Sequence, residues 1–260
     1  MDLALAGNVA LVTGSSRGIG RGVAVALARE GCNVVLHGRD QAALDEVAAE
    51  IGKLGRKAVI EANDLTLPGS PDALVAAAQK TFGRLDILVN NAGATKRGDF
   101  RALTDADWKD GFELKFHAHV RLSRAAWPLL VKTKGSIVNI AGIGGREPEA
   151  EFGIGSSVNA AVVAWTKALA DVGKTEGVQV NAIDPGRVET ERLWRRIRER
   201  IKTTGESEAK VRGEFQAEFG ITRFGTVEDI AGLIAFIASP HGRWLHGAAI
   251  AMDGGEIRSP

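Results

Sequence analysis

The chain has 260 residues, 45% of them hydrophobic and 25% charged, enough to bury one full α/β core without a second domain. Lys and Arg number 33 against 32 Asp and Glu, a net charge of +1, which argues against nucleic acid or a membrane surface as partner and for a small molecule. No apolar run approaches the ~18 residues that span a bilayer. The segment Met1–Gly7 has neither the basic start nor the apolar length of a signal peptide, and the single cysteine, Cys32, has no internal partner; a cytoplasmic location is expected, with Cys32 a packing residue.

Short apolar runs alternate with longer amphipathic stretches, the pattern of strands alternating with helices. Strands are expected at Val9–Thr13, Asn33–His37, Ala58–Ala62, Leu85–Asn90, Ser136–Ala141, Val178–Asp184 and Ala248–Met252. Helices are expected at Ile19–Glu30, Gln41–Leu54, Pro71–Phe82, Asp105–Val131, Ser156–Glu176 and Val227–Ala238. Strands rich in Val, Ile and Leu with little alternation are buried on both faces, so the expected architecture is a single-domain, doubly wound parallel α/β sheet with helices on both faces. One charged, irregular insertion, 187–220, interrupts it.

Between the first strand and first helix stands Thr13-Gly14-Ser15-Ser16-Arg17-Gly18-Ile19-Gly20. Glycines there allow a tight turn and a close approach to a pyrophosphate, which the helix amino terminus attracts; this is the Rossmann-type arrangement. The second strand ends His37-Gly38-Arg39-Asp40. A carboxylate at that tip would read a free ribose hydroxyl, whereas arginine accommodates a 2′-phosphate, so Gly38 and Arg39, with Arg17, favour NADP(H) over NAD(H). A shift of one residue would instead bring Asp40 to the ribose.

With these motifs the chain resembles the classical short-chain dehydrogenase/reductase family over nearly its whole length. Asp64-Leu65 is similar to that family's adenine contact, Asn90-Asn91-Ala92-Gly93 to its segment after the fourth strand, and Pro185-Gly186 with Val188 and Thr190 to its nicotinamide-holding turn. Arg223-Phe224-Gly225, Glu228-Asp229-Ile230-Ala231 and Asp253-Gly254-Gly255 complete the pattern. The resemblance implies a cofactor site of Gly14, Ser16, Arg17, Gly18, Ile19, Gly20, Gly38, Arg39, Asp64, Leu65, Asn91, Ala92, Gly93, Asn159, Pro185, Gly186, Val188 and Thr190; no metal is expected, because no cluster has the spacing of a metal site.

The same resemblance implies an Asn, Ser, Tyr and Lys tetrad, but the chain contains no tyrosine. The flanking motifs put Lys115 at the asparagine position, Gly142 at the serine, Gly155 at the tyrosine and Asn159 at the lysine. Two glycines can neither donate a proton nor hold a substrate oxygen, so the family's usual relay is not supported. Lys115 and Asn159 look exchanged, which would return an ammonium and an amide to one small volume. Alternatively, Lys115 points to solvent or a subunit interface and Asn159 is drift.

The vacated space is expected to admit a bulkier substrate or be filled by another side chain, with candidates in Arg146–Phe152. Glu147, Glu149 and Glu151 offer a carboxylate if buried and are otherwise solvated. Ser156 is expected to cap the following helix. His119, one turn after Lys115, is read as surface or subunit packing. The arginine excess in 187–220 points to a carboxylate- or phosphate-bearing ligand under a lid, or to a solvated amphipathic helix with Trp194 and Ile197 turned inward.

Three functions are left open: an NADP(H) oxidoreductase with a displaced acid, a non-redox enzyme of elimination or hydration, and an inactive NADP-binding subunit. The resemblance implies a homo-oligomer, tetramer or dimer, or a mixed assembly with an active paralogue.

Overall fold

The computed structural model describes residues 1–258. Strands β1 (Val9–Val12), β4 (Ile87–Asn90), β5 (Ser136–Ile140) and β6 (Gln179–Pro185) are buried at every residue, as parallel strands covered on both faces must be. With β2 (Asn33–Gly38), β3 (Ala58–Ala62) and β7 (Ala249–Met252) they form one seven-stranded sheet in the order β3-β2-β1-β4-β5-β6-β7. All pairings are parallel. The chain leaves β1 for β2 and β3 on one side and resumes at β4 on the other. A crevice therefore opens at the carboxyl ends of β1 and β4, where such folds bind ligands.

Helices α1 (Gly18–Arg29), α2 (Gln41–Lys53) and, near the carboxyl end, α9 (Val227–Ala238) cover one face through Val23, Leu27, Leu44, Val47, Ile230 and Ile234. Helices α3 (Ser70–Phe82), α5 (Ala118–Thr133) and α6 (Gly153–Glu176) cover the other through Leu74, Leu122, Leu130 and Ala170. Cys32 lies in the first layer, and burial first, then the charge of Asp86, push its thiol up to about 12. Such a thiol is inert packing. A buried polar chain crosses the second layer: Asn90 Nδ2 donates to Asn139 Oδ1 at 2.9 Å and to Ser123 Oγ at 3.1 Å, and Asn139 Nδ2 to Thr166 Oγ1 at 2.9 Å. It ties β4 and β5 to α5 and α6.

Two expected elements differ from what the structure contains. The helix expected over Asp105–Val131 is broken into α4 (Asp105–Phe112), a wider π-helical turn over Glu113–His117, and α5. Each such turn inserts one residue and shifts the phase of every side chain in it, which apolar periodicity does not reveal. The irregular insertion is a helical hairpin of α7 (Glu191–Thr204) and α8 (Glu208–Phe219), joined through Gly205 at φ 72°. Leu193, Ile197, Val211, Phe215, Ile221 and Phe224 give it an apolar cluster of its own, with Trp194 packed against it. The inward Trp194 and Ile197 agree with the amphipathic reading. Among the described residues no helix is long and apolar enough to cross a membrane.

Candidate active site

The loop leaving β1 is locked to the loop leaving β4. Thr13 Oγ1 accepts from the amides of Asn91 at 2.9 Å and Ala92 at 3.0 Å, while Asn91 Nδ2 donates to Thr13 O at 2.8 Å and Gly14 O at 3.3 Å. A Cβ at Gly20 would stand 2.2 Å from Gly14 O and 2.4 Å from Asn91 Nδ2, so only glycine lets α1 begin this close. Gly14 and Gly18 take φ of 65° and 56°. His37 braces the loop from β2: its amide donates to Ser15 Oγ at 2.9 Å, and burial holds its ring below the usual histidine range. Arg17 precedes α1 with no side-chain cap, which leaves the first-turn amides free, as anion binding requires.

At the end of β2, a Cβ on Gly38 would meet Ser16 Oγ at 3.3 Å. Arg39 is exposed, and its Nη1 is 3.9 Å from Asp64 Oδ2, a loose pairing. Asp40 is committed elsewhere, because its Oδ1 accepts from Ala43 N at 3.1 Å and caps α2. Asp64 accepts from Thr66 N at 2.9 Å and Thr66 Oγ1 at 2.8 Å, bonds that together hold its carboxyl below the usual range, and Leu65 is buried beside it. Across the crevice, Gly186 passes so close to Asp253 that a Cβ would stand 2.7 Å from its Cα, following the last residue of β6, Pro185. Val188 pairs with Gly225, and Thr190, which precedes α7, lies against Gly18. The glycine loop, Asn91–Gly93 and Pro185–Thr190 thus meet at one crevice.

Lys115 and Asn159 are brought together. Lys115 Nζ donates to Ala141 O at 2.8 Å and to Asn159 Oδ1 at 2.5 Å. Its stem crosses Gly93, where a Cβ would stand 2.8 Å from Lys115 Cδ, so glycine opens that path. Burial first, then the positive charge of Arg192, lower the amine to about 7, with Asp184 pulling the other way. Asp184 itself is buried against Arg146, whose Nε lies at 3.0 Å, and burial raises its carboxyl. Gly142, beside this pair, has φ 153°, and a Cβ there would stand 3.1 Å from Asn159 Nδ2.

Phe152 fills the space a side chain at Gly155 would need: a Cβ at Gly155 would lie 2.1 Å from its Cζ. Arg97 stacks over the same ring at 4.4 Å and pairs with Glu149. Arg187 Nη2 lies 3.0 Å from Glu149 and Nε 3.0 Å from Glu256, with the guanidinium 4.1 Å over the Phe219 ring. Burial pushes the Glu149 carboxyl up, but Arg187 and Arg97 outweigh it and leave it below its usual value. It is therefore an anion held by arginines and not a protonated acid; Glu147 and Glu151 are exposed.

Two other expectations are corrected. His119 is fully buried within the chain, with Nε2 2.9 Å from Ala92 O, and desolvation lowers it to about 4, so it is a neutral brace for the Asn91–Gly93 loop. Ser156 caps nothing, because α6 starts earlier, at Gly153, and the hydroxyl lies buried in its first turns with no partner. Sequence reading passed over Arg97 and Asp184 as site residues; their partners lie 52 and 38 positions away, beyond any local signal.

A glycine loop feeding an uncapped helix at the switch point of a parallel sheet defines a dinucleotide-binding α/β protein. The family model for short chain dehydrogenases matches residues 8–201, and the chain belongs to that family. It is 33% identical over 263 residues to a short-chain type dehydrogenase/reductase of Picea abies, covering 97% of this chain and 93% of that one. It is 30% identical to the 3-oxoacyl-(acyl-carrier-protein) reductase FabG of Vibrio cholerae, covering 96% and 98%. The crystal structure of L-sorbose reductase from Gluconobacter frateurii, complexed with NADPH and L-sorbose, superposes with a TM-score of 0.96 at 32% identity, covering all of both chains.

Proposed function

We propose that the chain is an NADP(H)-dependent oxidoreductase acting on a small molecule, with an active site rebuilt around Lys115 in place of the family's tyrosine relay. The carrying observation is a lysine amine held between Ala141 O and Asn159 Oδ1 with a pKa lowered to about 7. A group with pKa near the working pH is the effective proton donor and acceptor. When bound, the cofactor supplies or accepts a hydride at the substrate carbon. Lys115 as ammonium has one N–H beyond the two engaged, and that proton passes to the substrate oxygen during reduction. As neutral amine it still satisfies Ala141 and Asn159, and its lone pair takes the proton back during oxidation. Asn159 positions the amine.

NADP(H) is favoured over NAD(H) because Arg39 is exposed and only loosely paired at the end of β2 while Asp40 caps a helix. The NADPH-bound reductase among its structural relatives supports this reading. The cofactor would be held by Gly14, Ser16, Gly18, Ile19 and Gly20 at its phosphates, by Arg17 and Arg39 beside Gly38 at the 2′-phosphate, and by Asp64 and Leu65 at the adenine. Asn91, Ala92, Gly93, Asn159, Pro185, Gly186, Val188 and Thr190 line the nicotinamide half. Arg39→Ala is expected to weaken NADPH binding by about tenfold or more, the worth of a charge-assisted contact, while leaving NADH binding unchanged. Asp40→Ala is expected to cost about 1 kcal/mol of stability with no change in the NADPH to NADH ratio; a changed ratio would assign the ribose contact to Asp40.

The test is titration with NADPH and NADP, followed by hydride exchange with a panel of carbonyls and activated alkenes that includes L-sorbose. Binding with turnover supports the proposal, and no binding overturns the cofactor reading. Binding without turnover supports a second reading, an inactive NADP-binding subunit, which the glycines at 142 and 155 favour because they supply no hydroxyl to a substrate. A cytoplasmic homotetramer is the expected form.

A further inference from the structure

The cleft carries a positive charge that no carboxylate among the described residues pairs with. Arg97 and Arg187 share Glu149, and Arg187 also meets Glu256, so two guanidiniums are matched by two carboxylates. Arg196 is left over. It sits half-buried on α7 beside the inward Ile197, with its guanidinium 5.7 Å from the Phe215 ring. Among the described residues no carboxylate lies within ion-pairing distance of it. Burial first, then the like charges of Arg187 and Arg97, lower its pKa against the opposing pull of Glu149 and Glu218.

Toward the carboxyl end of the helix the arginines are paired. Arg198 pairs with Glu191 of its own helix, and Arg200 Nη2 lies 3.7 Å from Glu214 of α8. Arg192, one turn before Arg196, reaches across the crevice, where Nη2 donates to Gly93 O at 3.3 Å. The stem of Lys115 passes that same glycine. Arg192 and Arg196, at i and i+4, share one side of α7, and that side carries the charge acting on Lys115.

We infer that Arg196, with Arg192 and Arg97 beside it, binds a carboxylate of the substrate, so that the proposed oxidoreductase acts on small hydroxy or oxo acids. The inference rests on the proposed function for the reacting carbon, but the anion site is independent of it. A half-buried guanidinium without a partner is costly, and a planar carboxylate matches its fork of donors. Arg192, which donates to a carbonyl, likewise has no carboxylate within ion-pairing distance among the described residues, and the two oxygens of one carboxylate offer each of these arginines a partner. The substrate spans from Lys115, at its carbonyl or hydroxyl, to Arg196, where its carboxylate supplies the missing negative charge.

The test uses the protein with and without NADP and measures binding of gluconate against sorbitol and of glutarate against glutaramide by calorimetry. The expected result is that at least one acid binds tenfold or more tightly than its neutral counterpart. Arg196→Gln is expected to remove that preference while leaving NADPH affinity unchanged, and Arg198→Gln to change neither. The inference is overturned if neither acid is preferred, or if Arg196→Gln weakens NADPH as much as it weakens the acid, which would assign the arginine to the cofactor's phosphates. Acid binding that depends on Arg196 in a protein that fails to bind NADPH leaves the anion site standing and removes the redox reading alone. An Arg196→Lys variant separates charge from fork geometry: it is expected to keep part of the preference at an unchanged melting temperature.

Discussion

Lys115→Met is expected to lower turnover by about a hundredfold or more, the usual worth of a general acid, while the protein still folds and still binds NADPH. Met preserves the stem that threads past Gly93 and removes only the amine between Ala141 O and Asn159 Oδ1. In the wild type the reductive rate should be level below about 7 and fall as pH rises beyond it, because the donor is the ammonium. The oxidative rate should do the reverse. The groups facing the amine are Arg192 from α7, which lowers its pKa, Asp184 from β6, which raises it, and His119 from α5, which is neutral throughout this range. Stability has its own sign. Between about 7 and the ordinary lysine value of 10.5, the folded chain holds fewer protons at this site than the unfolded chain, so stability rises with pH across that window. The Met variant should lose that slope. Full turnover by Lys115→Met, with an unchanged pH profile, would remove lysine from the chemistry.

The second large effect concerns Phe152. Putting a phenol back with Gly155→Tyr is expected to destabilise the protein by about 1–3 kcal/mol, the cost of overpacking, which lowers the melting temperature by about 2–4 °C for each kcal/mol at this chain length. The ring of Phe152 stands where the new Cβ must go, and it is held between Gly144 on one side and Arg97 on the other. Phe152→Ala/Gly155→Tyr should recover most of the loss, with a coupling of about 0.5–3 kcal/mol in a double-mutant cycle. No coupling would mean that the ring does not occupy this space. The double variant is not expected to regain a tyrosine relay, because Gly142 has φ 153°, a conformation that strains any serine placed there.

The sheet and the cofactor crevice were legible in the sequence because their signals are local. Uninterrupted apolar runs mark buried parallel strands, and Gly14, Gly18 and Gly20 stand at the spacing a phosphate turn requires. Strand boundaries moved by a residue or two, as at Leu85 and Val178, which precede the strands β4 and β6. The proximity of Lys115 to Asn159 was legible only through the family resemblance, since 44 positions separate them. The π-helical turn that presents Lys115 was hidden, because inserting one residue leaves hydrophobic spacing almost intact. The filling of the space at Gly155 was open to either a substrate or a side chain, and only packing could decide for Phe152. Of the hairpin of α7 and α8, the first helix was legible as an amphipathic stretch with Trp194 and Ile197 turned inward, whereas the turn at Gly205 and the second helix were obscured by the charges around them.

That hairpin draws its cohesion from a small apolar cluster sharing no residue with the two layers that cover the sheet. Such a segment can open as one cooperative unit without exposing the main core. In amide exchange, residues 191–219 should lose protection together and earlier than β1, β4 and β5. Because the part-exposed ion pair of Arg212 with Glu189 helps fasten the segment to the chain that precedes it, added salt should bring that opening forward. The protein would then admit its ligand by a small unfolding event whose frequency depends on ionic strength.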